Sequence, residues 1–209
     1  MPPDFPRRLF VTGTDTGIGK TVVCAILVAG LRASYWKPVQ SGSEADSDTQ
    51  WIRKATGLPE AHFLPETYRF QAPLSPHAAA AREKRVIDLE AFQVPPHSPD
   101  RPLIIEGAGG VMVPLNEKHL MTDLMKRLGA PVLVVAGSGL GTINHTLLSL
   151  EKLRHDGIDV LGVVVNGSAN PENCQAIAHY GQVRVCARIE PMPALNNQAL
   201  TDEFVKFQL

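Results

Sequence analysis

The segment Gly13-Thr14-Asp15-Thr16-Gly17-Ile18-Gly19-Lys20-Thr21 joins a short apolar run to a longer one that reads as a helix. Such a junction can hold a phosphate. Glycines let successive backbone N–H groups turn into one concavity, and the helix N-terminus adds roughly half a positive charge beneath it. Lys20 supplies a point charge for the outer phosphates, and the Thr21 hydroxyl suits Mg²⁺. The expected nucleotide contacts are Gly17, Ile18, Gly19, Lys20, Thr21 and Val22. The spacing departs from the strict G-x-x-x-x-G-K-[ST] pattern: counting back from Gly19, the first glycine position holds Thr14, with Gly13 one residue earlier. A glycine-rich turn with an incidental lysine is the alternative. The order strand, turn, helix favours a phosphate loop.

A second constellation is acidic. Leu103-Ile104-Ile105-Glu106 is an apolar run ending in a carboxylate, followed by Gly107-Ala108-Gly109-Gly110. It has the character of a Walker-B strand, whose acid emerges beside the phosphate loop and faces the cation. The small residues after it permit close backbone approach to a ligand. Asp46 and Asp48 lie in the polar segment 41–50 before a helix. Either could serve only as a helix cap, and the residues alone do not separate them. Mg²⁺ on ATP keeps much of its water and takes few protein carboxylates, so one aspartate with Glu106 and Thr21 would suffice.

Positioning these groups requires strands that end near one another. The clearest strands are 9–12, 35–38, 103–106, 132–136 and 160–166, with 183–189 weaker; all are rich in Val, Leu and Ile, as strands buried on both faces should be. Helical patterns at 20–32, 48–56, 119–128, 142–155 and 171–180 alternate with them. Strand–helix–strand alternation implies parallel pairing with right-handed crossovers. The expected fold class is therefore α/β, a three-layer P-loop NTPase-like fold with a mainly parallel central sheet flanked by helices. Residues 1–209 are expected to form a single domain. Ligands of such sheets bind beyond the carboxyl ends of the strands, where both constellations fall. Proline- and serine-dense stretches at 64–76 and 94–102 read as ordered loops, and Ser75-Pro76 as a helix start.

Composition sets outer bounds. Hydrophobic residues make up 44% and charged residues 20%, with a formal net charge of −1, so no global field attracts nucleic acid or an anionic membrane. The three cysteines form no C-x-x-C pair, a usage suited to a reducing cytosol. The first residues lack an apolar signal core, and the longest apolar run, ten residues from Val22 to Leu31, is about half a membrane span. A cytoplasmic location is expected. Seven histidines are scattered without zinc-ligand spacing, and none is assigned to a site.

Four segments, in order, carry a resemblance. These are Gly13 to Thr21, Trp36-Lys-Pro-Val-Gln-Ser-Gly-Ser43, Glu106-Gly-Ala-Gly-Gly110 and Gly139-Leu-Gly-Thr-Ile-Asn-His145. Together they resemble the dethiobiotin synthetase family from Phe10 to Pro191. The resemblance implies an ATP- and Mg²⁺-dependent cyclo-ligase that forms the ureido ring of dethiobiotin, in biotin biosynthesis. Its substrates would be 7,8-diaminopelargonate, CO₂ and ATP, with a carbamate and then a carbamic-phosphoric anhydride on the way. Lys37, Lys20 and Thr16 would be catalytic. Ser41 would hold the diamine or carbamate, and Asp48 takes the family's metal aspartate position beside Thr21 and Glu106. Gly107, Ala108 and Gly109 would border the nucleotide. Gly141, Thr142 and Asn144, opening a helix, would receive the substrate's distant carboxylate from a neighbouring subunit, so a homodimer with shared sites is implied. Asn166, Gly167, Glu190, Pro191 and Met192 would lie along the base; Gly167 and Glu190 depart from the family's pattern there.

The alternative is a partner-regulated ATPase switch of the partitioning or septum-positioning type, which shares the sheet and a deviant phosphate loop. Such proteins carry a second lysine early in the loop, where this chain has Asp15. An amidoligase would need a glutamine-hydrolysing domain, for which 209 residues leave no room.

Overall fold

The computed structural model describes residues 5–42 and 47–208. Seven parallel strands form the central sheet in the order β4-β2-β6-β1-β7-β8-β9. In chain order they are β1 (Arg8–Gly13), β2 (Ser34–Trp36), β4 (Phe63–Leu64), β6 (Leu103–Gly110), β7 (Val132–Gly137), β8 (Val160–Asn166) and β9 (Val185–Ile189). Two further short strands, β3 (Val39–Ser41) and β5 (Tyr68–Phe70), pair with each other beside it. The helices are α1 (Lys20–Leu31), α2 (Asp48–Thr56), α3 (Pro76–Arg82), α4 (Met121–Leu128), α5 (Thr142–His155), α6 (Pro171–Gly181) and α7 (Asn197–Phe204).

Strand alternation sorts the apolar side chains into two cores. Phe10, Leu103, Ile105, Val132 and Val134 face one side, where residues of α3, α4, α5 and α6 cover them. Leu9, Val11, Ile104, Leu133 and Val135 face the other, under α1, α2 and α7. The result is the three-layer α/β fold expected from the sequence. Every strand pair in the main sheet is parallel, so all strand ends that could carry chemistry emerge on one rim.

Several boundaries differ for identifiable reasons. The expected strand 35–38 stops at Trp36, because Pro38 lacks the N–H that a ladder needs; the chain then resumes as β3. The strand expected at 103–106 runs on to Gly110, where it pairs with Gly13. Helix α4 begins at Met121 rather than at 119: Leu120 bridges Pro114 and its N–H donates to Asp123 Oδ2 at 2.8 Å. β9 starts at Val185 rather than at 183. The stretch 64–76 contains β5 as well as loop, and α3 does begin at Pro76 with Ser75 in the cap position. Ser75 Oγ, however, meets His77 Nδ1 at 3.1 Å instead of capping the backbone. No helix among the described residues is long and apolar enough to cross a membrane.

Candidate active site

Register brings the two constellations together. β2 pairs with β6 so that Tyr35 lies beside Ile104 and Trp36 beside Ile105. The next residue on each chain is Lys37 and Glu106, which therefore leave the sheet at the same level. Alternation sends Tyr35, Lys37, Ile104 and Glu106 toward the α1 face. On that face α1 presents Thr21 and, one turn on, Cys24.

The contacts follow from this placement. Lys37 Nζ lies 2.8 Å from Glu106 Oε1 and 2.5 Å from Asp48 Oδ2, and its third donor direction meets the Gly107 carbonyl at 3.3 Å. The Thr21 hydroxyl is 2.9 Å from Glu106 Oε1 and 3.1 Å from Asp48 Oδ1, and can donate to one at a time. Lys37 and Glu106 are buried, and Asp48 is half-buried. Burial alone would favour the neutral amine of Lys37, but the carboxylates of Glu106 and Asp48 outweigh it and hold the ammonium charged, above the usual lysine range. Lys20 Nζ donates to the Asp15 carbonyl at 2.8 Å, folding back along the loop. Its pKa is lowered, first by burial and then by the charge of Lys37.

Gly19 caps α1 with φ 95, in the left-handed region, and a side chain there would collide with Asn166. Asn166 Nδ2 donates to the Ile18 carbonyl at 2.9 Å, tying the end of β8 to the phosphate loop. At Gly167, φ 134, a side chain would strike Ser138, so the position suits glycine.

A cavity of about 670 Å³ opens at this rim. Of the residues expected from the sequence, Thr16, Gly17, Gly19, Lys20, Thr21, Val22, Lys37, Ser41, Asp48, Glu106, Ala108 and Gly109 line it. Ser41 Oγ is buried with no hydrogen-bond partner among the described residues. Ile18 and Gly107 stand behind the lining, in contact through the carbonyls already named. Asn166, Gly167, Glu190, Pro191 and Met192 do not line it: they run along the ends of β8 and β9, where the Gly167 N–H meets the Ile189 carbonyl at 2.8 Å. Gly141, Thr142 and Asn144 also lie outside. Thr142 Oγ1 is turned back onto the Gly137 carbonyl at 2.5 Å, while Asn144 is exposed. Further along α5, His145, Leu148 and Ser149 line a second cavity of about 470 Å³ that shares Thr16 and Val113 with the first. Asp46, the other aspartate considered from the sequence, falls outside the described residues.

Two residues to which the sequence reading gave no site role belong to the cluster. The Tyr35 hydroxyl donates to Glu106 Oε2 at 2.8 Å. Gln40 Oε1 accepts from the Asp48 backbone N–H at 3.1 Å, and Gln40 Nε2 donates to the Ser41 carbonyl at 2.9 Å. Strand alternation was the available signal for Tyr35, which stands two residues before Lys37.

The family profile described as an AAA domain matches residues 7–199. A protein of Paramagnetospirillum magneticum named ATP-dependent dethiobiotin synthetase is 56% identical over 189 residues, covering 90% of each chain. One of the same name from Agrobacterium fabrum is 47% identical over 199 residues, covering 95% of this chain and 93% of that one. The chain belongs to the dethiobiotin synthetase family. Among solved structures, a ParA family ATPase from Chlorobium tepidum is similar at 12% identity with a TM-score of 0.56, covering 97% of this chain and 91% of that one. A chain of the MinC:MinD cell division protein complex of Aquifex aeolicus is similar at 12% identity with a TM-score of 0.55, over 95% of this chain and 93% of that one. At that identity the likeness concerns the P-loop fold, which dethiobiotin synthetases share with these ATPases. It carries nothing of their partners.

Proposed function

We propose that this chain closes the ureido ring of dethiobiotin from 7,8-diaminopelargonate, CO₂ and ATP. The observation that carries the reading is that the ammonium groups of Lys20 and Lys37, from different strand ends, line the same cavity as Thr21, Asp48 and Glu106. Membership of the dethiobiotin synthetase family supports this choice of reaction. One amine of the substrate adds to CO₂ and loses a proton, giving a carbamate. A carbamate oxygen then attacks the γ-phosphorus and ADP departs. The second amine attacks the carbonyl carbon of the mixed anhydride, the bond to the phosphate oxygen breaks, and the cyclic urea and phosphate are released.

The chain's own groups fit these steps. Lys37 offers a fixed positive charge to the carbamate and to the transferring phosphoryl group, and Lys20 does the same from the nucleotide side. Their placement on rigid strand and helix ends supplies the positioning that dominates phosphoryl transfer. The free hydroxyl of Ser41 and that of Thr16 are suited to the diamine or carbamate. Thr21, Asp48 and Glu106 present a hydroxyl and two carboxylates, hard oxygen donors matching a nucleotide-bound Mg²⁺ that keeps several waters. Among the described residues no denser cluster of His, Cys, Asp or Glu competes with this set. When bound, that ion would neutralise charge on the outer phosphates.

The reading includes a homodimer. Leu140 is fully exposed at the start of α5, and Met112 and Leu148 are more than half exposed beside the second cavity. A second copy would cover these side chains and bring Gly141, Thr142 and Asn144 to the substrate's carboxylate. The test is fixation of labelled bicarbonate into an acid-stable product. It should require ATP, the diamine and Mg²⁺, release one phosphate per ring closed, and stop with a chelator. Steady ATP hydrolysis that ignores the diamine would refute the assignment.

A further inference from the structure

Glu106 is held from both of its oxygens, and only one side of that grip belongs to the machinery already described. Oε1 faces Lys37 and Thr21 at 2.8 and 2.9 Å, toward the cavity. Oε2 points the other way and accepts from the Tyr35 hydroxyl at 2.8 Å. Tyr35 is fully buried on β2, with its ring edge-on to Phe63 at 6.4 Å between centroids, so the phenol has little freedom to turn aside. The Cys24 thiol, also fully buried, faces the same carboxylate from α1; burial and then Glu106 itself keep it protonated, so it is at most a weak donor. The phenol is therefore the strong partner of Oε2.

From this geometry we infer that Tyr35 is a positioning residue for the reaction: its hydroxyl tethers Glu106 Oε2 so that Oε1 alone faces the cavity, alongside Thr21, as a ready oxygen donor for the nucleotide's divalent cation. Without the tether, Oε2 loses its strong donor in a site closed to water. The carboxylate then turns both oxygens toward Lys37, whose ammonium is the nearest alternative. That collapse gives Lys37 both carboxylate oxygens in place of Oε1 alone, so the lysine competes more strongly with the cation for Glu106 and is drawn further from the phosphoryl group. A partner behind a metal ligand typically changes metal affinity by about 10- to 100-fold when removed. The inference rests on the ATP- and Mg²⁺-dependent reading above.

The test compares Tyr35→Phe, which keeps the ring and deletes the hydroxyl, with wild type. Mn²⁺ binding to the enzyme complexed with a non-hydrolysable ATP analogue is followed by electron paramagnetic resonance. Y35F should weaken Mn²⁺ about tenfold and raise the Mg²⁺ concentration for half-maximal ring closure by a similar factor, with the diamine KM within about twofold of wild type. In a Glu106→Gln background the same change should add almost nothing, because Tyr35 acts through Glu106. A lowered unfolding temperature with wild-type Mn²⁺ affinity would make Tyr35 merely structural and overturn the inference. Should Y35F not fold, 3-fluorotyrosine in the wild-type chain replaces it: with only three tyrosines, at 35, 68 and 180, the Tyr35 resonance can be followed directly. It should move when Mg²⁺ joins the nucleotide complex, and silence there would also overturn the inference. Wild type that binds the metal–nucleotide complex yet closes no ring would refute the reaction while leaving the tether intact.

Discussion

Two helices of this protein open in the same way and are finished differently. Gly19 before α1 has φ 95 and Gly141 before α5 has φ 91, and neither helix start has a side-chain cap. Around Gly19 the chain closes its own site: Asn166 ties the loop, Lys20 folds along it, and Thr21 meets Glu106 and Asp48. Around Gly141 little comes to meet the helix. Leu140, Asn144 and His145 face outward, while Thr142 turns back onto Gly137 and Ile143 packs on the core. One helix end is completed within the chain. The other has the character of a half-site, which the proposed dimer would complete.

The comparison can be broken most sharply at the completed end. Lys37→Ala should lower ring closure by about 10³-fold or more, since it removes the one charge shared by both carboxylates and the phosphoryl group. Circular dichroism should accompany the rate measurement, because Glu106 and Asp48 are left without their cation. At the open end, Leu140→Asp should leave the fold intact, shift sedimentation from dimer to monomer, and raise the diamine KM about tenfold with a smaller effect on the KM for ATP. A monomeric wild type would remove the half-site idea altogether. Asn166→Ala, which frees the phosphate loop from β8, should raise the KM for ATP about fivefold, the worth of one hydrogen bond.

The smallest effect concerns the far end of α5. There Asp156 takes the Lys152 ammonium at 2.7 Å and His155 Nδ1 at 3.3 Å. The Lys152 hydrogen bond leads in bringing its pKa down from 3.8 to about 2. A carboxylate stabilised in this way contributes stability that is complete above its unfolded pKa and lost as pH falls through the folded one. Asp156→Asn should therefore lower the unfolding midpoint by a few degrees at pH 7, about 1 kcal/mol, with kcat unchanged. The two proteins should converge as pH approaches 2.

Much of this was legible in the residues. The apolar runs gave the parallel sheet, and the glycines before Lys20 gave the loop, because both depend on local pattern. What escaped depends on pairing across the sheet. Pro38 splits one apolar run into β2 and β3, strands of three residues each, too short for any periodicity to register. Helix α7, packed on α1 through Phe204 against Gly30, lies beyond the last matching motif and buries only Leu200 and Glu203 along its length. Tyr35 and Gln40 read as ordinary strand residues until the register of β2 against β6 and the start of α2 set them beside Glu106 and Asp48.

The central claim is that Lys20 and Lys37 grip one triphosphate between them, opposite a carboxylated amine. A crystal structure with a non-hydrolysable ATP analogue, Mg²⁺, the diamine and bicarbonate tests it most directly. The account expects oxygens of the terminal phosphate within hydrogen-bonding distance of both Nζ atoms, with the ion on Thr21, Asp48 and Glu106. A nucleotide seated away from Lys37, with that ammonium still bound only to Glu106 and Asp48, would contradict it.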